Sequence, residues 1–276
     1  MSAMLYLVPT PIGNLGDISV RCRETLENAD FIAAEDTRVT LKLLNHLGIK
    51  KSLVSYYEHN KTTQGSRIVE RILAGETCAL VSDAGSPAIS DPGEDLVKQC
   101  AAAGIPVCAI PGPCAAITAL SISGQSTGRF CFEGFLSTAK KSRREHLDAL
   151  RGETRTMIFY EAPHKLTATL ADMVETFGPD RSISLCRELT KLHEETLRTT
   201  LGGAVAHYTE NTPKGEFVLV LAGAEPHQEA AVTLEDAVAQ VLTLKAQGIR
   251  LKDAAKEVAE HTGFSKNELY AAALEQ

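Results

Sequence analysis

Apolar and polar positions along the first half of the chain alternate between two periods. Short apolar runs of strand length fall at Leu5–Val8, Phe31–Ala34, Leu53–Tyr56, Cys78–Ser82 and Val107–Ile110. Between them, apolar residues recur at helical spacing over Val20–Leu26, Thr37–Leu47, Ser66–Leu73, Glu94–Ala103 and Ala115–Ser121. Ser19 is placed to cap the first helix, and Gly48, Gly75 and Gly104 follow the ends of later ones. Strand–helix alternation of this kind predicts an α/β domain with a largely parallel sheet over residues 1–122.

After the polar, glycine-bearing link Ser123–Gly128 the pattern changes. Strands are predicted at Phe130–Phe135, Thr156–Tyr160, Ile183–Cys186, Glu195–Leu201 and Phe217–Leu221, with only two clear helices, near Arg144–Leu150 and His164–Phe177. This predicts a second α/β domain with a mixed sheet over residues 123–225. A linker follows at Gly223–Ala231 and contains Pro226. The remainder, 226–276, reads as a small C-terminal helical segment. Its helices are predicted at 234–246, 251–261 and 266–275, broken at Gly248 and Gly263. Capping boxes are expected at Thr233 with Asp236 and at Ser265 with Glu268. The fold class is therefore α/β, with two α/β domains plus helices.

Composition changes this picture little. The 276 residues are 44% hydrophobic and 23% charged, as in ordinary globular chains, and leave room for two cores. No apolar run approaches the roughly 18 residues of a membrane span. The apolar start, Met4–Val8, lacks a basic flank and meets Pro9 and Pro11 at once, so it reads as a buried strand rather than a leader. The seven cysteines include no C-x-x-C pair, which points to reduced thiols. A cytoplasmic protein with no membrane partner is expected. The net charge of −7 argues against a general positive field for nucleic acid, though not against a local basic patch. Lys140-Lys141-Ser142-Arg143-Arg144 is the one dense basic run, read either as a solvated face or, with Arg151 and Arg155, as a phosphate-contacting patch.

Candidate chemistry gathers at predicted strand ends, where open α/β sheets bind ligands. Three loops are rich in glycine and proline: Pro9–Asn14, Ser82–Pro87 running on to Asp91-Pro92-Gly93, and Pro111–Ala115. Singly each is an ordinary turn; together they suggest a stiff cleft offering backbone groups. Charged blocks follow other strands: Glu35-Asp36-Thr37-Arg38, Glu161 to Lys165, and Arg187 to Lys191. These point to a polar substrate, against the plainer reading of helix caps and ion pairs. No P-loop, dinucleotide fingerprint or nucleophile elbow is present, and the eight histidines form no metal-binding set, so no metal is expected.

Val8–Asn14, Glu35–Arg38, Ser82–Gly93, Pro111–Ala116, Phe159–His164, Arg187–Glu195 and Gly215–Val220, in that order, resemble the tetrapyrrole methylase superfamily. These are the class III S-adenosyl-L-methionine (SAM)-dependent methyltransferases. Within it the likeness is to the branch that methylates the ribose 2′-hydroxyl of a cytidine in the decoding centre of 16S ribosomal RNA. It runs from about Met4 to Ala222. The resemblance implies SAM held in a cofactor cleft between the two domains of a homodimer, on 16S rRNA in the small ribosomal subunit. Residues falling at cofactor positions are Ile12, Gly85, Ser86, Ile89, Cys114, Ala115, Phe159, Tyr160, Gly215 and Glu216. The first loop lacks two of the superfamily's glycines, and Ser86 replaces an aspartate common in porphyrin enzymes. Methyl transfer needs a collinear arrangement and an acceptor for the hydroxyl proton. Candidates for the catalytic work are Asp36, Glu161, His164, Glu188 and Lys191, with Arg38 and Arg187 as clamps on phosphate or carboxylate. The choice among them stays open.

Two other readings remain. One is a porphyrin-precursor methyltransferase, against which the basic run and the altered loops count. The other is a ligand-sensing regulator that uses Leu251–His261 and Ser265–Leu274 as a helix-turn-helix. That tail carries five basic residues, Lys245, Arg250, Lys252, Lys256 and Lys266, against eight acidic ones, so DNA is not expected as a partner.

Overall fold

Strand β2 (Phe31–Ala34) is buried along its whole length, so both of its faces need cover. Successive side chains of a strand point to opposite faces. Phe31 and Ala33 accordingly join one apolar cluster, and Ile32 and Ala34 join another. Together with β1 (Leu5–Leu7), β3 (Ser52–Ser55), β4 (Cys78–Val81) and β5 (Val107–Ala109), β2 forms a sheet in the order β3-β2-β4-β1-β5. All of its pairings are parallel. On one face lie Ile68 and Ile72 of α3 (Lys61–Leu73) and Leu96 and Cys100 of α4 (Gly93–Ala102). The other face receives Cys22 and Leu26 of α1 (Val20–Asn28) and Leu44 of α2 (Thr37–Leu47). Ser19 caps α1 by accepting the Cys22 N–H at 3.1 Å. Gly48 ends α2 in the left-handed region, φ 73°.

The second sheet has the order β6-β7-β10-β8-β9 and is mixed. Its strands are β6 (Phe130–Phe135), β7 (Thr156–Glu161), β8 (Ser182–Arg187), β9 (Glu195–Thr200) and β10 (Phe217–Leu221). Only β6 and β7 run parallel. Its two faces are covered unequally. Met157, Phe159, Leu185 and Leu219 pack under α6 (Lys140–Ala149), α7 (Pro163–Phe177) and α8 (Leu201–Glu210). The opposite face meets one helix, α5 (Ala115–Ser123), through Ala116, Ala119 and Leu120 against Ile158, Cys186, Val218 and Val220.

A computed structural model of the chain describes residues 3–225 and 232–275. The chain forms two compact units, 1–224 and 225–276. The second contains α9 (Leu234–Ala246), α10 (Leu251–Thr262) and α11 (Lys266–Leu274) around Val238, Val241, Ala254, Val258 and Leu269. Thr233 and Ser265 accept the N–H groups of Asp236 and Glu268, as expected of N-caps. Residues 226–231 of the expected linker, Pro226 among them, lie outside the described residues. Among the described residues no helix is long and apolar enough to cross a membrane.

Three helices differ from the sequence reading. Helix α3 begins at Lys61 rather than Ser66. Its start is fixed by ion pairs from Lys61 to Asp95 (2.6 Å) and Glu58 (2.8 Å), and Gly65 inside it makes room for Gln99. Helix α6 begins at Lys140, four residues before the expected start. Helix α8 begins where a strand is expected over Glu195–Leu201 and no helix after it; Gly202 and Gly203, poor helix formers, lie in its first turn. Both are needed for close approach: a Cβ on Gly202 would lie 3.2 Å from Pro179 Cβ, and Gly203 sits against the Thr199 hydroxyl.

The basic run is folded into the protein. Arg143 is 6% exposed, its Nε 2.7 Å from Asp172 Oδ2. Arg144 bonds Asp172 Oδ1 at 2.8 Å and Glu175 at 2.6 Å. Arg151 pairs with Asp148, and Arg155 with Glu153. Lys141 approaches Glu145 at 3.8 Å, so the phosphate-patch reading keeps only Lys140 without an ion-pair partner among the described residues. Burial alone would push the Asp172 carboxyl up, but hydrogen bonds and charge from Arg143 and Arg144 outweigh it and hold it below the usual range. Asp172→Ala leaves the Arg143 guanidinium buried without its counter-charge and is expected to cost about 3–5 kcal/mol, measured by urea unfolding. Arg144→Ala, half in solvent, should cost under about 1 kcal/mol. Because the folded acid is depressed, the Asp172 contribution should be present above the unfolded pKa. It should fade as pH falls through the folded one.

Candidate active site

Parallel pairing brings the carboxyl ends of β1, β2, β4 and β5 to one edge of the first sheet, and the three Gly/Pro loops meet there. The loop after β1 is bonded to the loop after β4 by a reciprocal backbone pair: Thr10 N–H to Gly85 O and Gly85 N–H to Thr10 O, both 2.9 Å. The Thr10 hydroxyl donates to Ser82 O at 3.2 Å. Ser86 Oγ donates to Pro113 O at 2.9 Å and joins the loop after β5. Gly112 is packed so closely on Pro9 that a Cβ there would lie 2.7 Å from the ring.

These loops and the half-covered face of the second sheet enclose a cavity of about 530 Å³, within the roughly 300–1,000 Å³ typical of small-ligand sites. Ile12, Ile89, Phe135, Tyr160, Leu189 and Val218 provide apolar wall. Among the described residues the charged groups on the wall are all acidic, Glu35, Asp83, Asp91, Glu161 and Glu216; Lys165 and Lys191, outside the lining, pair with Glu161 and Glu216. Helices α5 and α7, neither with a side-chain N-cap, begin at the cavity, where Ala115, Ala162 and Pro163 line it.

The rims are strained. Among the described residues, the non-glycine positions with positive φ are Ala88 (68°), Ser90 (62°), Glu188 (51°) and Thr190 (66°). They belong to two loops whose Ser90 and Leu189 line the cavity. Each such residue costs roughly 1–3 kcal/mol and persists only where its surroundings hold it. Asp91 Oδ1 accepts from Ala88 N–H (3.0 Å) and Gly93 N–H (2.7 Å). Lys191 Nζ lies 2.7 Å from Glu188 and 2.9 Å from Glu216, and Thr190 N–H donates to Glu194 at 2.6 Å.

Of the residues singled out in the sequence, Ile12, Gly85, Ser86, Ile89, Cys114, Ala115, Tyr160, Glu216 and Glu161 line the cavity. Phe159 does not: it is fully buried in the core under α6–α8, because it alternates with Tyr160 along β7. Gly215, φ 83°, lies outside the lining and lets the chain pass Glu188, whose Oε1 accepts the Glu216 N–H at 3.0 Å. Asp36 is turned aside as the cap of α2, bonded to Arg38 N–H at 2.8 Å and to its guanidinium at 2.6 Å; this pairing lowers its acid to about 2. Arg38 itself points into solvent. Exposed His164 lies outside the lining. Arg187 pairs with Glu195 at 3.0 Å, and Lys191 and Glu188 with each other. Glu161 is 2% exposed; it holds Lys165 at 2.9 Å and the Thr169 hydroxyl at 2.6 Å. The Tyr160 hydroxyl accepts the Ala116 N–H at 3.1 Å, and burial pushes its acid up to about 12.

The sequence reading passed over Glu35, Asp83 and Asp91, although all three sit in blocks it quoted. The available signal was the position of Asp36 directly before a helix. A carboxylate there is engaged as a cap, leaving its neighbour Glu35 to face the cleft. Phe135, Cys186, Leu189, Phe217 and Val218 carry no such signal, since an apolar residue on a strand reads as core.

Comparison with known proteins agrees with this architecture. Residues 4–205 match the model of the Tetrapyrrole (Corrin/Porphyrin) Methylases. The chain belongs to the tetrapyrrole methylase family. Within it, the chain is 49% identical over 99% of its length to "Ribosomal RNA small subunit methyltransferase I" of Synechocystis sp., covering 98% of that protein. It is 46% identical over 99% of its length to the protein of the same name from Escherichia coli O157:H7, covering 95% of it. Residues 232–276 match the RsmI C-terminal HTH domain. The fold is shared with uroporphyrin-III C-methyltransferase from Thermus thermophilus complexed with S-adenyl homocysteine. For that structure the TM-score is 0.56 and the identity 14%, over 79% of this chain and 96% of that one.

Gly112→Ala tests the loop packing. The proline ring has no rotamer to swing away, so the variant should lose about 1–3 kcal/mol by overpacking. Its affinity for S-adenosylhomocysteine in calorimetry should fall with it. Gly128→Ala, with nothing within 4 Å of the new Cβ, is the neutral control.

Proposed function

We propose that this chain is a SAM-dependent methyltransferase that modifies the ribose 2′-hydroxyl of a cytidine in the decoding centre of 16S ribosomal RNA. It would work in the cytoplasm as a homodimer. What carries the reading is identity of 46–49% along nearly the whole chain with proteins named ribosomal RNA small subunit methyltransferase I.

The cavity suits the cofactor chemically. A wall of apolar side chains and carboxylates with no cation favours a ligand that pairs a flat apolar ring with positive charge. SAM supplies a methyl group on a positively charged sulfur, so the leaving group departs neutral and needs no acid. Ile12, Ile89, Cys114, Ala115 and Tyr160 would hold its apolar parts, and Gly85, Ser86 and Glu216 its polar ones. The Ser86 hydroxyl donates its hydrogen to Pro113 O, so toward a ligand this residue would serve as an acceptor or through its backbone. Phe159 and Gly215 would act behind the wall, through packing and chain path. Under this reading residues 1–122 carry the cofactor loops, 123–225 the closing sheet and 226–276 an accessory segment. The stiff loops do the positioning on which a collinear displacement depends.

The tail would help to hold RNA. Lys245 lies in the last turn of α9, Arg250 directly precedes α10, and Lys252 and Lys256 follow one turn apart on α10. None of the four has an ion-pair partner among the described residues, unlike the paired cations of α6. Like charges at i, i+4 repel on an isolated helix, and a phosphate backbone relieves that repulsion.

Transfer of labelled methyl from SAM to small subunits lacking this modification, followed by nucleoside analysis, tests the assignment. The expected product is 2′-O-methylcytidine in the decoding region. No transfer to subunits, with methylation of porphyrin precursors instead, would overturn it. Lys252→Glu with Lys256→Glu should weaken subunit binding about tenfold or more and flatten its salt dependence. The rate at saturating subunit should hold.

A further inference from the structure

A ribose hydroxyl attacks a methyl carbon well only as its proton is taken. The accepting group must reach the cavity, be deprotonated, and be free to turn toward the hydroxyl, which a carboxylate already held by hydrogen bonds or an ion pair is not. The candidates suggested by sequence fail one condition or another. Asp36 is bound to its own helix and to Arg38. Glu188 and Lys191 neutralise each other. His164 is outside the lining, and Glu161 satisfies Lys165, Thr169 and the Ala162 N–H.

The other carboxylates on the cavity wall can be sorted the same way. Asp83 Oδ1 accepts the Asp36 N–H at 3.0 Å. Asp91 Oδ1 holds two backbone N–H groups of its own loop. Glu216 pairs with Lys191 and its side chain is 80% exposed. Among the described residues, Glu35 alone of the wall carboxylates has neither a side-chain hydrogen bond nor an ion pair.

We propose that Glu35 is the proton acceptor in the methyl transfer, its free carboxylate facing the cavity from the end of β2. The inference rests on the methyltransferase reading above. The hydroxyl O–H bond breaks and its proton passes to a Glu35 carboxylate oxygen. A new C–O bond forms as the methyl C–S bond breaks, and that electron pair stays on sulfur. The charged groups around Glu35 are Asp83 and Asp91 from the loop after β4 and Asp36 beside it, the last paired with the solvent-facing Arg38; among the described residues no cation lines the wall. Burial, and then those three carboxylates, raise the Glu35 acid above its ordinary value. A raised value brings the base closer to working pH, which favours proton transfer.

The experiment compares wild type, Glu35→Gln and Glu35→Asp. S-adenosylhomocysteine binding is read by calorimetry and single-turnover methylation of small subunits across pH. Wild type should lose rate on acidification at a pH above that of an ordinary carboxylate, because the raised acid protonates sooner. Glu35→Gln should bind S-adenosylhomocysteine within about threefold of wild type, lose about 10²–10⁴-fold in rate, and lose the acidic limb. Glu35→Asp should recover part of the rate and show a limb of its own. Full-rate transfer by Glu35→Gln would overturn the proposal while leaving the methyltransferase reading intact. Loss of S-adenosylhomocysteine binding in both variants would overturn it by making Glu35 a cofactor ligand. Wild type that binds S-adenosylhomocysteine yet methylates no subunit would overturn the functional reading, and this proposal with it.

Discussion

The reciprocal pair of hydrogen bonds between Thr10 and Gly85 is the joint on which the site depends. Two loops after neighbouring parallel strands have no pairing partner once the strands end. The bridge, antiparallel where β1 and β4 pair in parallel, ties the two loops to each other and turns them into a floor. Ser86, by bonding Pro113 O, brings in the loop after β5. Prolines 9, 11, 87, 92, 111 and 113 lower the entropy that the unfolded loops would otherwise regain. The same economy limits recognition. Polar groups used to lock the floor are unavailable to a ligand, so selectivity falls to the carboxylates and to backbone groups left over.

The second sheet contributes by being incompletely covered. Three helices pack one face, but α5 covers only part of the other. At the margin of that packing Tyr160, Cys186 and Val218, while touching the α5 cluster, also line the cavity and give it apolar wall. Alternation along β7 decides which residues serve. Phe159 anchors the wall from behind, while Tyr160 faces the cavity and ties its hydroxyl to the start of α5. Core and site are thus two sides of one strand, and a change at Phe159 would reach the site through the sheet.

The sequence was legible where one local rule decides. Apolar period and caps place the parallel strands, Ser19, Gly48 and the three tail helices within a few residues. Ion pairs between distant segments are not local. Lys61 finds Asp95 and Arg143 finds Asp172 only once helices pack, so the starts of α3 and α6 and the fate of the basic run stayed hidden. Helix α8 was obscured because its glycines serve close approach rather than flexibility. In the site, loop motifs located the floor, but resemblance alone could not tell Phe159 from Tyr160 or Asp36 from Glu35. Face and capping rules make both distinctions, and each needs the strand and helix boundaries fixed first.

Charge is partitioned by depth. An RNA substrate is a polyanion, and a cavity walled with carboxylates repels phosphate. A nucleotide can therefore present its ribose to the interior only if its phosphates stay outside, where cations are found. Lys191 stands near the rim, though bound between Glu188 and Glu216, and the unpaired cations of α9 and α10 lie in a separate unit. The interior field acts on two groups at once. It favours a cationic cofactor, and through Asp83, Asp91 and Asp36 it makes Glu35 a better proton acceptor.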